Sequence, residues 1–332
     1  MRSVHRPLLL ALALLATLAV PLLLGGRAAL GALRDVPASA LATILGVTLF
    51  GWLARAAKLA VLAHGVGLRL RALQSLLVSL ATDFGFLATP GGLGGYAANV
   101  LLLRRAGATT SAATAVAAAD QIVDALFFAI ALPLAACAAL RSALPELMLR
   151  AAFAGSGVLC AGALLAFVLR RPLLRAAARR AESHRDSRFA RAYTLLAQAL
   201  HDTARLLRGD ARATLALAVL TTMQWTTRYG VLWLALGAFG HAVPYAVTLL
   251  AQGVVMHVAQ WTGLPSGAGG AEFGLAAALA PWLTPAQLAP AALVWRGATL
   301  HLALLAGGFA LLHLVRANDL PGARPAVAPE GA

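Results

Sequence analysis

Apolar residues run in long blocks along this chain, at about 7–25, 38–63, 73–89, 110–140, 150–169, 213–239, 245–263 and 286–313. Most blocks reach the roughly 20 residues that a helix needs to cross a bilayer. The blocks that begin at 73 and 245 are the exceptions, because each runs into a cluster of Pro and Gly. The pattern predicts an all-α polytopic membrane helix bundle with six full spans, and it leaves two short blocks to be explained.

The first short block ends in ATPGGLGGYAA at 88–98. Only Tyr96 to Leu103 then separates the glycines from Arg104-Arg105. Eight helical residues rise about 12 Å, far less than a hydrocarbon core of about 30 Å. If the arginine pair stays on the cytoplasmic side, the chain enters, turns and returns, so 73–103 forms a re-entrant hairpin with its tip at Pro90, Gly91, Gly92, Gly94 and Gly95. The second short block meets LPSGAGG at 264–270 and reaches Pro281 and Pro285 without a basic residue. The same logic makes it a second hairpin, entered from outside, with Pro265, Gly267, Gly269 and Gly270 at its tip. Sliding the chain by 175 carries Pro90 onto Pro265, Gly92 onto Gly267, Gly94 onto Gly269, Gly95 onto Gly270, Thr109 onto Thr284 and Gln121 onto Arg296. Two hairpins entered from opposite sides, each followed by a full span, make inverted repeats at about 73–140 and 245–313, an architecture common in secondary transporters. The glycines also fit close helix packing, with Gly91 and Gly95 as a small-xxx-small pair. Gly92 to Ala97 fits G-x-G-x-x-A as well, but no strand or βαβ unit surrounds it, so nucleotide binding is not inferred.

Charge fixes the orientation. Eleven arginines lie in the one long hydrophilic loop, 170–212, which the positive-inside bias makes cytoplasmic. Walking outward from it leaves both termini cytoplasmic. The apolar run near the N-terminus exceeds a signal peptide's hydrophobic region and reads as the first span. Within the loop, Phe189, Tyr193, Leu196, Leu200 and Leu207 suit an amphipathic helix on the inner leaflet, and a solvated connector fits as well. The formal net charge of +15 therefore reflects topology and lipid contact, and does not point to nucleic acid. Only 12% of residues are charged and 61% are hydrophobic, which excludes an ordinary soluble domain. Residues 1–315 read as one membrane domain, with a disordered tail at 316–332. The two cysteines, Cys137 and Cys160, lie in apolar blocks and suggest neither disulfide nor metal.

Ionisable residues inside spans are costly, so they face a bundle interior or a pathway. Arg55 and Lys58 are expected to snorkel from the cytoplasmic end of their span, and His241 and His313 sit at span ends. Asp83, Asp120, Asp124, Arg228, His257, Glu272, Arg296 and His301 are too deep for that. Asp120 and Asp124 share a helix face, and Asp120 and Arg296 fall about 15 Å into symmetry-related helices. Asp120, Gln121, Asp124, Arg228, Glu272 and Arg296 are the candidates for a polar cavity that takes a charged lipid head group or a coupling proton; a structural salt bridge is the competing account. No paired-carboxylate, Ser/His/Asp or metal-ligand spacing stands out, so no enzyme activity, cofactor or metal is assigned.

The stretches PGGLGG, LLLRRAG and ADQIVD, and later PSGAGGAEFGLAAAL and VWRGATL, resemble the signature regions of the lysylphosphatidylglycerol synthase transmembrane-region family over about 7–315. The resemblance implies a lipid-handling protein of the bacterial inner membrane: a flippase or transporter whose partners are anionic or lipid-linked membrane lipids. The alternative is a non-catalytic membrane subunit that supports a lipid-modifying or glycosyl-transferring enzyme. The soluble aminoacyl-transferring domain of bifunctional members is not expected here. Members of the family carry a glutamate after the first glycine turn and an arginine in the next helix, where this chain has Gly95 and Gln121; the second repeat keeps Glu272 and Arg296. Glu272 is therefore expected to pair with Arg296, and the polar chemistry to lean toward that pair.

Overall fold

A computed structural model describes residues 5–139, 188–260 and 262–316, with isolated positions between 140 and 187. The described residues are helical, without strands. Helix α1 (His5–Arg34) runs past the expected end at 25 and kinks at Gly26, where φ is 59°. Then come α2 (Ala38–Gly65), α3 (Ala72–Ala88), a 3₁₀ turn at Pro90–Gly92, α4 (Leu93–Arg105) and α5 (Thr110–Ala139). After α6 (Arg188–Leu207) and α7 (Ala211–Ala238), α8 (Tyr245–Gln260) leads to a 3₁₀ turn at Pro265–Gly267 and α9 (Gly270–Ala278). Helix α10 (Pro285–Arg296) passes through a π-helical turn, Gly297–His301, into α11 (Leu302–Arg316). Most of the expected span 150–169, residues 170–187 of the arginine loop and the tail from 317 lie outside the described residues.

Among the described residues four helices are long and apolar enough to cross a membrane: Leu10–Arg34, Ala38–Gly65, Thr110–Ala139 and Pro285–Arg316. Helix α7 is as long, but Thr221, Thr222, Gln224, Thr226, Thr227 and Arg228 make its middle polar. Three of its threonines satisfy themselves locally, Thr222 donating to the Ala218 carbonyl at 2.8 Å, Thr226 to that of Thr222 and Thr227 to that of Met223 at 2.6 Å.

The hairpins and their glycines explain each other. Gly91 and Gly92 have φ of 60° and 72°, a left-handed conformation that lets α3 reverse into α4. Helices α3 and α4 then touch backbone to backbone: a Cβ on Gly85 would lie 2.6 Å from the Gly94 carbonyl oxygen. At the second tip the residues 175 further on repeat the conformation, Ser266 at φ 53° and Gly267 at 64°. Thr109 caps α5 by accepting from the Ala112 amide (3.2 Å), and Thr284 caps α10 by accepting from that of Gln287 (3.4 Å). The correspondence reaches beyond the sequence repeat, since the same offset carries α2 onto α7.

Helix α2 packs along α7, α3 along α11, and α8 along α5, so each hairpin's first arm rests on the long helix of the other half. The two 3₁₀ tips touch. One apolar core gathers around α7 to α10 and another around α2 to α5 with α11. Helix α6 docks on α5 through Ala199, Thr203 and Leu206, and Leu206 covers Gly65, whereas Leu200 points outward. The side that meets the bundle is thus distinct from Leu200 of the stripe expected to face the inner leaflet, and its small side chains let α6 approach α5.

Candidate functional site

Where the tips meet, the helices leave a cavity of about 320 Å³. The glycine backbone of Gly91 and Gly92 walls it on one side, and Leu264, Ser266 and Gly267 on the other. Helix α5 contributes Gln121, Asp124 and Phe128, α7 contributes Trp225 and Arg228, and α8 contributes His257 and Gln260. Phe86 and Tyr96, edge to face with ring centroids 4.9 Å apart, close the first tip.

A cluster of charges runs from the wall of this cavity, where Arg55, Asp83 and Asp124 line it, into the bundle. Lys58 is fully buried, with Nζ 2.7 Å from Oδ1 of Asp120 and 2.7 Å from Oδ1 of Asp124. Arg55 Nε lies 2.9 Å from Asp83 Oδ1, at ion-pair distance though without a well-directed hydrogen bond, and its Nη2 is 4.0 Å from Asp120 Oδ2. All five residues are less than a tenth exposed. The expectation that Arg55 and Lys58 snorkel is therefore wrong. Three carboxylates on α3 and α5 face α2, and pairing with them outweighs reaching for water, since a buried acid without a partner is far costlier than a buried pair. The signal was present in the sequence: three aspartates in apolar blocks require cations, and Arg55 and Lys58 are three residues apart on one helix face.

The candidate residues separate by depth. Gln121, Asp124 and Arg228 line the cavity. Asp120 instead lines a water-sized chamber of about 10 Å³ with Ser79, Thr82 and Asn99. Glu272 and Arg296, each 1% exposed, are paired with each other and stand away from both spaces, Arg296 also lying 4.4 Å from the centroid of the Trp295 ring. Among the tip residues, Gly91, Gly92 and Gly267 reach the cavity wall. Gly95 is buried against the ring of Phe86, and half-buried Gly94 packs against Thr89 and Gly85, so these two serve packing. Pro90 is exposed, Pro265 is buried, and Gly269 and Gly270 are half-buried at the start of α9.

In the first half a neutral contact stands where the second half has its ion pair: the Tyr96 hydroxyl donates to Gln121 Oε1 at 3.1 Å. Tyr96, one residue beyond the position expected from sequence, is the partner. The polar wall of the cavity thus comes mainly from the first half and α7. Trp225 is a further contributor that sequence reasoning missed. Its Nε1 donates to Asp124 Oδ1 at 2.8 Å, and the Arg228 guanidinium lies 5.7 Å from its ring centroid. Arg228 has no acidic partner within ion-pair distance among the described residues and is half-buried. Together with Arg55 and Asp83 it also borders a second void of about 30 Å³ that contains Thr48, Gln224 and Thr299, so these three side chains partition two spaces.

Residues 8–307 match the family model described as "Lysylphosphatidylglycerol synthase TM region". The chain belongs to this family. No match is found among curated proteins. The lysylphosphatidylglycerol synthase transmembrane region accounts for nearly every described helix, and with four helices suited to crossing a bilayer the chain is a multi-pass integral membrane protein.

Proposed function

We propose that this protein moves a lipid or lipid-linked molecule between the leaflets of a bacterial inner membrane, with the head group passing through the cavity at the hairpin tips. The observation that carries the reading is Arg228: a cation with no acidic partner within ion-pair distance among the described residues, on the wall of a cavity that Arg55, Asp83 and Asp124 also line, with aromatic rings, apolar side chains and bare glycine backbone. A guanidinium in this setting suits a lipid phosphate, because it offers forked donors to phosphate oxygens and is only weakly hydrated. The substrate class is thus an anionic or lipid-linked phosphate, and the protein acts without a reaction of its own.

The repeated element positions and the meeting of the two tips support a pair of re-entrant hairpins in inverted repeats, within one membrane domain whose termini are cytoplasmic. Helices α4 and α9, with 13 and 9 residues, rise about 20 and 14 Å, too short to span. Non-helical backbone at membrane depth is tolerated where it lines a polar cavity, and the tips do so here.

The test is reconstitution in liposomes that contain labelled phosphatidylglycerol, phosphatidylethanolamine or an isoprenoid-linked phosphate, comparing leaflet exchange with Arg228→Ala and Arg296→Ala. Exchange that depends on Arg228 supports the reading. No wild-type exchange above protein-free liposomes for any of these lipids overturns it.

A further inference from the structure

Arg55 and Lys58 face Asp83, Asp120 and Asp124, so two cations meet three carboxylates in a group that is almost wholly buried. One negative charge is left over, and burying it unbalanced is costly. The nearest further cation on the cavity wall is Arg228, and Trp225 joins it to the cluster: the indole N–H holds Asp124 while the guanidinium rests near its face. Arg228 is also the group that a lipid phosphate would occupy. Seating an anion there cancels the charge that offsets the cluster.

We propose that Asp124 takes up a proton when an anionic head group seats on Arg228, so that lipid and proton bind the cavity together. This rests on the flippase reading and adds to it the coupling ion and the residue that holds it. Geometry singles out Asp124 among the three carboxylates. Asp83 also reaches the cavity wall but keeps Arg55 as its own counter-ion, and Asp120 lies behind in its own chamber between Lys58 and Arg55. Asp124 borders the cavity, shares its lysine with Asp120, and accepts both of its hydrogen bonds on Oδ1, leaving Oδ2 with none from the described residues. The proton comes from water in the cavity and bonds to Oδ2; Lys58 stays with Asp120, and no covalent bond breaks. The other groups facing Asp124 are Tyr96 from the first tip, Gln121 on α5, Tyr229 on α7 and His257 on α8. His257 is the competing acceptor. Its Nδ1 lies 2.6 Å from the Gly253 carbonyl and so donates there, which leaves Nε2 able to take a proton.

The experiment is isothermal titration of dioctanoyl phosphatidylglycerol into the purified protein in nanodiscs, in two buffers of different ionisation enthalpy, which counts protons exchanged per lipid bound. The wild type is expected to take up close to one proton, and its affinity to fall about tenfold per unit of rising pH while Asp124 is ionised in the free protein. Asp124→Asn should bind with uptake near zero, and His257→Gln should keep the proton count whatever happens to its affinity. Wild-type binding without proton uptake overturns the coupling and leaves the flippase reading intact. Uptake lost in His257→Gln and kept in Asp124→Asn overturns the assignment to Asp124. Absence of lipid binding in a protein that still exchanges lipids between leaflets overturns the proposal as well. Proton-linked binding in a protein that moves no lipid would sink the flippase reading alone.

Discussion

The ammonium of Lys58 and the carboxylate of Asp120 meet at 2.7 Å in the interior of the bundle, on helices joined by a whole hairpin. Because Lys58 also holds Asp124, removing its charge strands two carboxylates at once. Breaking a buried pair from one side costs about 3–5 kcal/mol. Lys58→Met is therefore expected to be among the most damaging substitutions in the chain, seen as a fall in thermal unfolding temperature in detergent. Adding Asp120→Asn should recover part of the loss. A single variant as stable as the wild type would show that water reaches the cluster and screens it.

Glu272 and Arg296 allow the same logic to be tested without touching the cavity. Both are buried and paired, away from the spaces that border Asp124 and Asp120. Glu272→Gln and Arg296→Met should each destabilise by about 3–5 kcal/mol. The double variant should lose less than the sum of the two, because neither partner is then left charged and alone. Leaflet exchange per folded molecule should stay within about twofold of wild type for the double variant. Strict additivity in the unfolding data would mean that the two side chains do not depend on each other.

Gly85 tests the hairpin. Its Cβ would stand 2.6 Å from the Gly94 carbonyl oxygen and 2.8 Å from the Gly95 nitrogen, which are backbone atoms that cannot swing aside. Gly85→Ala should cost about 1–3 kcal/mol by forcing α3 from α4. Gly46, with open space around its Cα, is the control: Gly46→Ala should be neutral or stabilising by up to about 1 kcal/mol. Equal behaviour of the two variants in thermal unfolding would contradict the backbone contact.

The turns between α3 and α4 and between α8 and α9 were legible because proline and glycine punctuate an apolar pattern. The repeat was legible at Pro90 and Pro265 for the same reason, whereas its extension to α2 and α7 was hidden, since those helices share no punctuation and differ in polarity. Arg55 and Lys58 were misplaced because depth in a helix says nothing about what a neighbouring helix presents. Distance along one helix made snorkelling look sufficient; three aspartates on α3 and α5 decide otherwise. Trp225 carried no signal in sequence, because an indole in an apolar helix is ordinary until its N–H is seen on a carboxylate.

Arg228 differs from Lys58 in a way that separates function from stability. It is half-buried on the cavity wall, has no acidic partner within ion-pair distance among the described residues, and lies near the ring of Trp225, which holds Asp124. Losing it breaks no direct ion pair but removes the offset to the cluster's leftover charge, so Arg228→Gln should destabilise by about 1–2 kcal/mol, well short of Lys58→Met. A phosphate that is bound there loses a charged hydrogen-bond donor worth about 1.5–3 kcal/mol, so affinity for an anionic head group should fall roughly ten- to a hundredfold. Arg228→Lys keeps the charge but not the fork, and should fall in between. Unfolding temperature and lipid affinity measured on the same preparations check both halves. A variant that unfolds early and binds normally would make Arg228 a structural residue, and the cavity would then need another anchor for its anion.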